Sequence, residues 1–162
     1  MHRTRFALVS ALCLLALSLA SPVSAADAGN PLDRFLSSVT KTTLPNGATL
    51  IVREQPGTGV VAIDTWVKAG YFHEPDEVAG MAHLFEHMFF KGSKAFPGAE
   101  QIAQELAAVG GDSNAGTIYD STNYYFVVPK EGFRRAVEIM ADAVANPLFD
   151  PAEMAKEKKV IF

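Results

Sequence analysis

GMAHLFEHMFFKG, residues 80–92, is almost wholly apolar yet carries His83, Glu86 and His87. Its pattern predicts a helix. Successive helical residues lie about 100° apart, so positions 83, 86 and 87 fall within an arc of roughly 100° and converge on one point. Two imidazoles at i and i+4 form the usual helical pair for one metal ion, and Glu86 can reach a water on that ion. A single His in a helix is ordinarily a packed or solvated residue, and a Glu beside a His is ordinarily a solvated pair. The setting changes this. Val78, Met81, Ala82, Leu84, Phe85, Met88, Phe89 and Phe90 leave little room for a wet face, so the helix is expected to lie buried. A buried carboxylate needs a partner, and a divalent cation is the strongest one available. Average composition would produce an H-x-x-E-H string in roughly one chain of this length in a few hundred. Two imidazoles, an oxygen ligand and a position left for water make the catalytic zinc pattern. Zinc would lower the pKa of its water to about 7. Glu86 can then take the proton as the water attacks a carbonyl, and pass it to a leaving amine.

Working outward, TTLPNGATLIVREQ (residues 42–55) reads as a hairpin turning at Asn46-Gly47. VVAIDTWVKAG predicts a strand with Val61, Ile63, Thr65 and Val67 on one face. Asp76 is the expected N-cap of the metal helix. PGAEQIAQELAAVGG predicts a second helix that stops at Gly110-Gly111. DSNAGTIYDSTNYYFVVP predicts two strands around Tyr119-Asp120, with Tyr119, Tyr124 and Tyr125 read as strand packing. In the next helix the apolar stripe is Phe133, Ala136, Val137, Met140, Ala141 and Val144. Asp150, Pro151 and Glu153 form a strong start to the last helix. His73 is expected to sit exposed in a turn. The predicted class is α+β, a largely antiparallel mixed sheet with helices packed on one face.

The chain has 162 residues, 49% hydrophobic and 20% charged. Its start is basic (MHRTR), then apolar (FALVSALCLLALSLA), then small (SPVSA), the layout of a secretory signal peptide over residues 1–25. The apolar run is short for a membrane span, so no stable membrane anchor is expected after cleavage. Export is the expected fate, to a bacterial periplasm or the medium. The one cysteine, Cys13, lies in this segment, so thiolate is excluded as a metal ligand. Residues 26–162 keep 12 basic and 18 acidic side chains, a net charge of −6. No basic stripe remains for nucleic acid. Residues 26–40 read as a polar segment leading into the domain of residues 41–162.

H-x-x-E-H is the inverted zinc motif, and GMAHLFEHMFFKGS closely resembles the metal helix of the M16 peptidases, the family of pitrilysin, insulin-degrading enzyme and the mitochondrial processing peptidases. LPNGATLIV resembles that family's opening hairpin. GGDSNAGTIYDSTNYYFVVP resembles its Asn-Ala-x-Thr and Asp-x-Thr-x-Tyr segment, and EKKVIF the start of its distal Glu helix. The resemblance spans residues 40–162 in order. It implies a zinc endopeptidase acting on extended or unfolded peptides. His83 and His87 match the imidazole ligands and Glu86 the base. Asn114 and Ala115 match the strand edge that lines the substrate cleft. Glu157 matches a residue that supports the ligands from behind. The family's third ligand is a second Glu, about 77 residues after the second His, which places it about two residues beyond Phe162. Spacing favours neither Glu153 nor Glu157 in its place. The last helix has no stop signal, so the chain is expected to be incomplete at its C-terminus and inactive by itself. The resemblance further implies a second, similar half closing over the substrate, in the same chain or another. The alternative is a non-catalytic M16-like partner, although such halves usually lose motif residues and all three are present here. S-ribosylhomocysteine lyases share the helix motif, but they use a Cys ligand in the cytosol, and residues 26–162 have no Cys.

Overall fold

The computed structural model describes residues 30–161, which form two compact units divided between Pro56 and Gly57. The expected signal peptide lies outside the described residues. Among the described residues no helix is long and apolar enough to cross a membrane.

In the first unit the segment read as merely polar carries a short helix, α1 (Pro31–Ser37). Asn30 Oδ1 accepts from Leu32 N–H at 3.0 Å and Pro31 opens the first turn, a cap at the smallest useful scale. The hairpin follows as expected. β1 (Val39–Thr43) pairs antiparallel with β2 (Thr49–Arg53). At its tip Gly47 takes a φ of +84°, which a side chain would resist. Asn46 Oδ1 accepts from Ala48 N–H at 3.1 Å. Every residue of β2 is exposed.

The second unit holds an antiparallel sheet in the order β3 (Val60–Val67), β5 (Thr122–Pro129), β4 (Asp112–Thr117). β5 lies in the middle, with Phe126 opposite both Ile63 and Ser113. Alternation sends Tyr124, Phe126 and Val128 to one face, where all three are buried. Helices cover that face. Phe89 comes from α2 (Met81–Phe89), and Ile102 and Leu106 from α3 (Gln101–Ala108). Ala136, Ile139, Met140 and Ala143 come from α4 (Phe133–Ala145). This is the expected α+β layout. α3 ends as read, with Gly110 at φ +74° and Gly111 N–H donating to Leu106 O at 2.8 Å. α5 (Pro151–Ile161) starts as read, with Asp150 Oδ1 accepting from Ala152 and Glu153 N–H.

Two readings need correction. In α4 the buried stripe includes Ile139 and Ala143, whereas Phe133, Val137 and Val144 stay exposed. The helix offers more apolar positions than one stripe can hold, and contact with β5 selects among them. In α2 only Leu84, Met88 and Phe89 are buried. Met81 and Phe85 are exposed and His83, Glu86 and His87 are half-buried. The helix therefore has a partly wet face, and the expectation of full burial fails.

Candidate metal centre

α2 begins after Gly80, at φ +91°, and its first N–H groups are not capped by Asp76. Asp76 instead opens a 3-10 turn of its own, Asp76–Val78. Glu74 reaches round that turn. Its Oε2 accepts from Gly80 N–H at 2.7 Å and its Oε1 accepts a short bond from Ala82 N–H. A carboxylate thus sits at the positive end of the helix that carries the site.

One turn on, the two imidazoles meet. His83 Nε2 and His87 Nε2 are 3.2 Å apart, with the rings edge-on at 76°. Two nitrogens bound at 2.0–2.1 Å to one tetrahedral ion would stand roughly 3.3 Å apart, so the pair is spaced as two ligands of such an ion. The proton state agrees. His87 Nδ1 lies 2.7 Å from Glu157 Oε2, and Glu157 Oε1 lies 2.9 Å from Lys91 Nζ. The Lys91 hydrogen bond first, and that of His87 second, hold the Glu157 carboxyl below its usual range. An ionised Glu157 takes the Nδ1 proton as its donor, which leaves the lone pair of His87 on Nε2, facing His83.

Glu86 is held by a separate contact. Thr117 Oγ1, at the end of β4, donates to Glu86 Oε2 at 2.5 Å. Tyr124 packs nearby on Phe89, ring centroids 4.3 Å apart. Burial, with the charge of Glu86 adding to it, pushes the Tyr124 phenol up to about 12, so it stays protonated at neutral pH.

Asn114 and Ala115 lie in β4, and they face opposite sides of the sheet. Ala115 packs toward the core. Ile118 N–H donates to Ser121 O at 2.9 Å, so alternation turns Ala115 N–H to the outer edge. There Asn114 Oδ1 accepts from it at 2.9 Å. Glu153 pairs with Lys156 at 2.5 Å, and Glu157 meets His87 at Nδ1, the ring nitrogen that does not face His83. No third His, Cys, Asp or Glu completes a cluster among the described residues. His73 is exposed, as expected, and accepts from Gly70 N–H. Sequence reasoning missed Glu74, Lys91 and Thr117. Lys91 sits one helical turn after His87 and was open to inspection. Thr117 sits three residues after Asn114 in the quoted motif, but nothing local ties it to Glu86.

The chain matches the family described as Insulinase (Peptidase family M16) over residues 49–162. It is 37% identical over 120 residues to an uncharacterized zinc protease of Bacillus subtilis (strain 168), covering 74% of this chain and 29% of that protein. Among solved structures, a protease from Helicobacter pylori superposes with a TM-score of 0.72 at 28% identity, over 75% of this chain and 29% of the other. Pitrilysin superposes with a TM-score of 0.65 at 33% identity, over 69% of this chain and 12% of the other. The chain thus spans less than a third of the length of each. With the helix motif, the sheet and the sequence match in agreement, the chain belongs to the M16 (insulinase) peptidase family.

Proposed function

We propose that this chain supplies the metal helix and the base of a zinc endopeptidase that cleaves extended peptides. The observation that carries the reading is the 3.2 Å convergence of His83 Nε2 and His87 Nε2 beside a carboxylate held by Thr117. His83 and His87 would hold the zinc, and the family resemblance would supply the third ligand as a second Glu about 77 residues after His87. When bound, zinc supplies Lewis acidity toward water and a peptide carbonyl. Glu86 accepts the proton of a water as its oxygen bonds to the carbonyl carbon. It then delivers that proton to the amide nitrogen as the C–N bond breaks.

The substrate adds as a strand along the outer edge of β4, where Ala115 N–H is available once Asn114 Oδ1 lets go. Main-chain bonding of this kind favours unfolded segments with loose sequence preference. A second, similar half would close over the peptide. The amino-terminal residues 1–25 would direct export to a periplasm or the medium.

The reading is tested in the full-length protein that contains this sequence. Glu86→Gln is expected to retain zinc and lose peptide cleavage, and His87→Ala to lose zinc. Cleavage by Glu86→Gln near the wild-type rate, or equal zinc content in both variants, would overturn it.

A further inference from the structure

We propose that Thr117 is a positioning residue for Glu86: it fixes one carboxylate oxygen so that the other faces the reacting water. The inference rests on the proposed role of Glu86. A Glu side chain has three rotatable bonds, and a general base must sit within hydrogen-bond reach of the proton it takes. Thr117 Oγ1 holds Oε2 at 2.5 Å. Among the described residues no donor reaches Oε1, so that oxygen is the acceptor left for water.

The holder is itself fixed from several sides. Threonine is stiff at χ1 because its Cβ is branched. Thr117 ends β4 directly opposite Thr122 of β5. Thr122 is 3% exposed. Its hydroxyl donates to Ala69 O at 2.8 Å and lies 3.3 Å from Thr117 Oγ1. Beyond the strand, Tyr71 N–H donates to Ile118 O at 3.1 Å and Phe72 N–H to Tyr119 O at 2.7 Å. Gly70 makes that approach possible, because a Cβ there would meet Ile118 O at 2.2 Å. The 67–73 segment thus braces Thr122 and the two residues that follow Thr117, and Thr122 Oγ1 in turn lies against the Thr117 hydroxyl. A neutral donor suits the task, since it orients the base without placing a second cation beside the metal.

A purely packing role for Thr117 makes a different forecast, and two substitutions separate the two. Thr117→Val keeps the branched shape and strand preference but removes the hydroxyl. Thr117→Ser keeps the hydroxyl and drops the methyl. In the full-length zinc-loaded protein, Thr117→Val is expected to lower kcat on the order of tenfold to a hundredfold, with KM within about twofold. Zinc content and affinity should stay at wild-type values. A crystal structure of the variant should show the Glu86 carboxylate spread over more than one rotamer. Thr117→Ser should recover most of the lost turnover. Should the valine form fail to fold, Thr117→Ala against Thr117→Ser decides by the same readouts. Unchanged kcat in the hydroxyl-free form, a single unmoved Glu86 rotamer, or a serine form as impaired as the valine form would overturn the inference. Failure of the underlying reading looks different: Glu86→Gln would then itself remain active.

Discussion

The two flanks of α2 hold their side chains by different means. On the His87 side the support is ionic: Glu157 from α5 bridges His87 Nδ1 and Lys91 Nζ, with Glu157 11% exposed at its side chain. On the Glu86 side it is neutral: the Thr117 hydroxyl from β4, with Thr122 of β5 behind it. The difference follows from what each group must do. A carboxylate behind an imidazole fixes its tautomer and strengthens its lone pair toward a cation. A base needs aim without an added charge that would compete for its oxygens. On the proposed function, the helix is a shared platform on which metal retention and proton transfer are set by two separate supports.

The largest effect expected is at the base. Glu86→Gln should cost about 10²–10⁴ in kcat in the full-length protein, because the amide accepts no proton. Zinc content measured beside kinetics would show that the other flank is untouched. Next comes the ionic flank. Glu157→Gln should weaken zinc binding roughly 10- to 100-fold, read by competition with a chelator. Lys91→Met should weaken it less, since Glu157 still reaches His87. The common anchor comes third. Glu74→Ala leaves Gly80 and Ala82 N–H without their carboxylate, and should cost about 1–2 kcal/mol in a urea titration while disturbing both flanks.

The smallest effect concerns Tyr124. Its phenol is raised in the fold from 10.0 to about 12, chiefly by burial. The folded state therefore keeps a proton that the unfolded chain releases. That stability is whole below about pH 10 and is lost as pH rises through the folded pKa, about 1 kcal/mol by about pH 11. Denaturation curves of Tyr124→Phe should lack this part of the alkaline decline. An identical decline in both proteins would remove Tyr124 as its source.

What the sequence made legible was local. The His-x-x-Glu-His spacing, the Asn46-Gly47 turn, the Gly110-Gly111 stop and the Asp150-Pro151 start each act over a few residues, and each is in place. What it hid was tertiary. Thr117 reaches Glu86 across 31 residues with no local sign of its partner, and Glu157 reaches His87 across 70, a contact that the family resemblance indicated but no local pattern did. Glu74 was hidden because Asp76 has the commoner capping side chain; the left-handed Gly80 redirects the chain so that the earlier carboxylate does the capping. Neither the wet face of α2 nor the shifted stripe of α4 is legible in periodicity, which does not say which apolar residues stay uncovered.

The claim that the two flanks do separate work is tested most directly by titrating zinc into Glu157→Gln and Thr117→Val full-length protein while following peptide hydrolysis. The account predicts that Glu157→Gln needs more zinc but approaches the wild-type rate once saturated. Thr117→Val should saturate at the wild-type zinc concentration and plateau at a lower rate. Two curves shifted alike in both midpoint and plateau would contradict it.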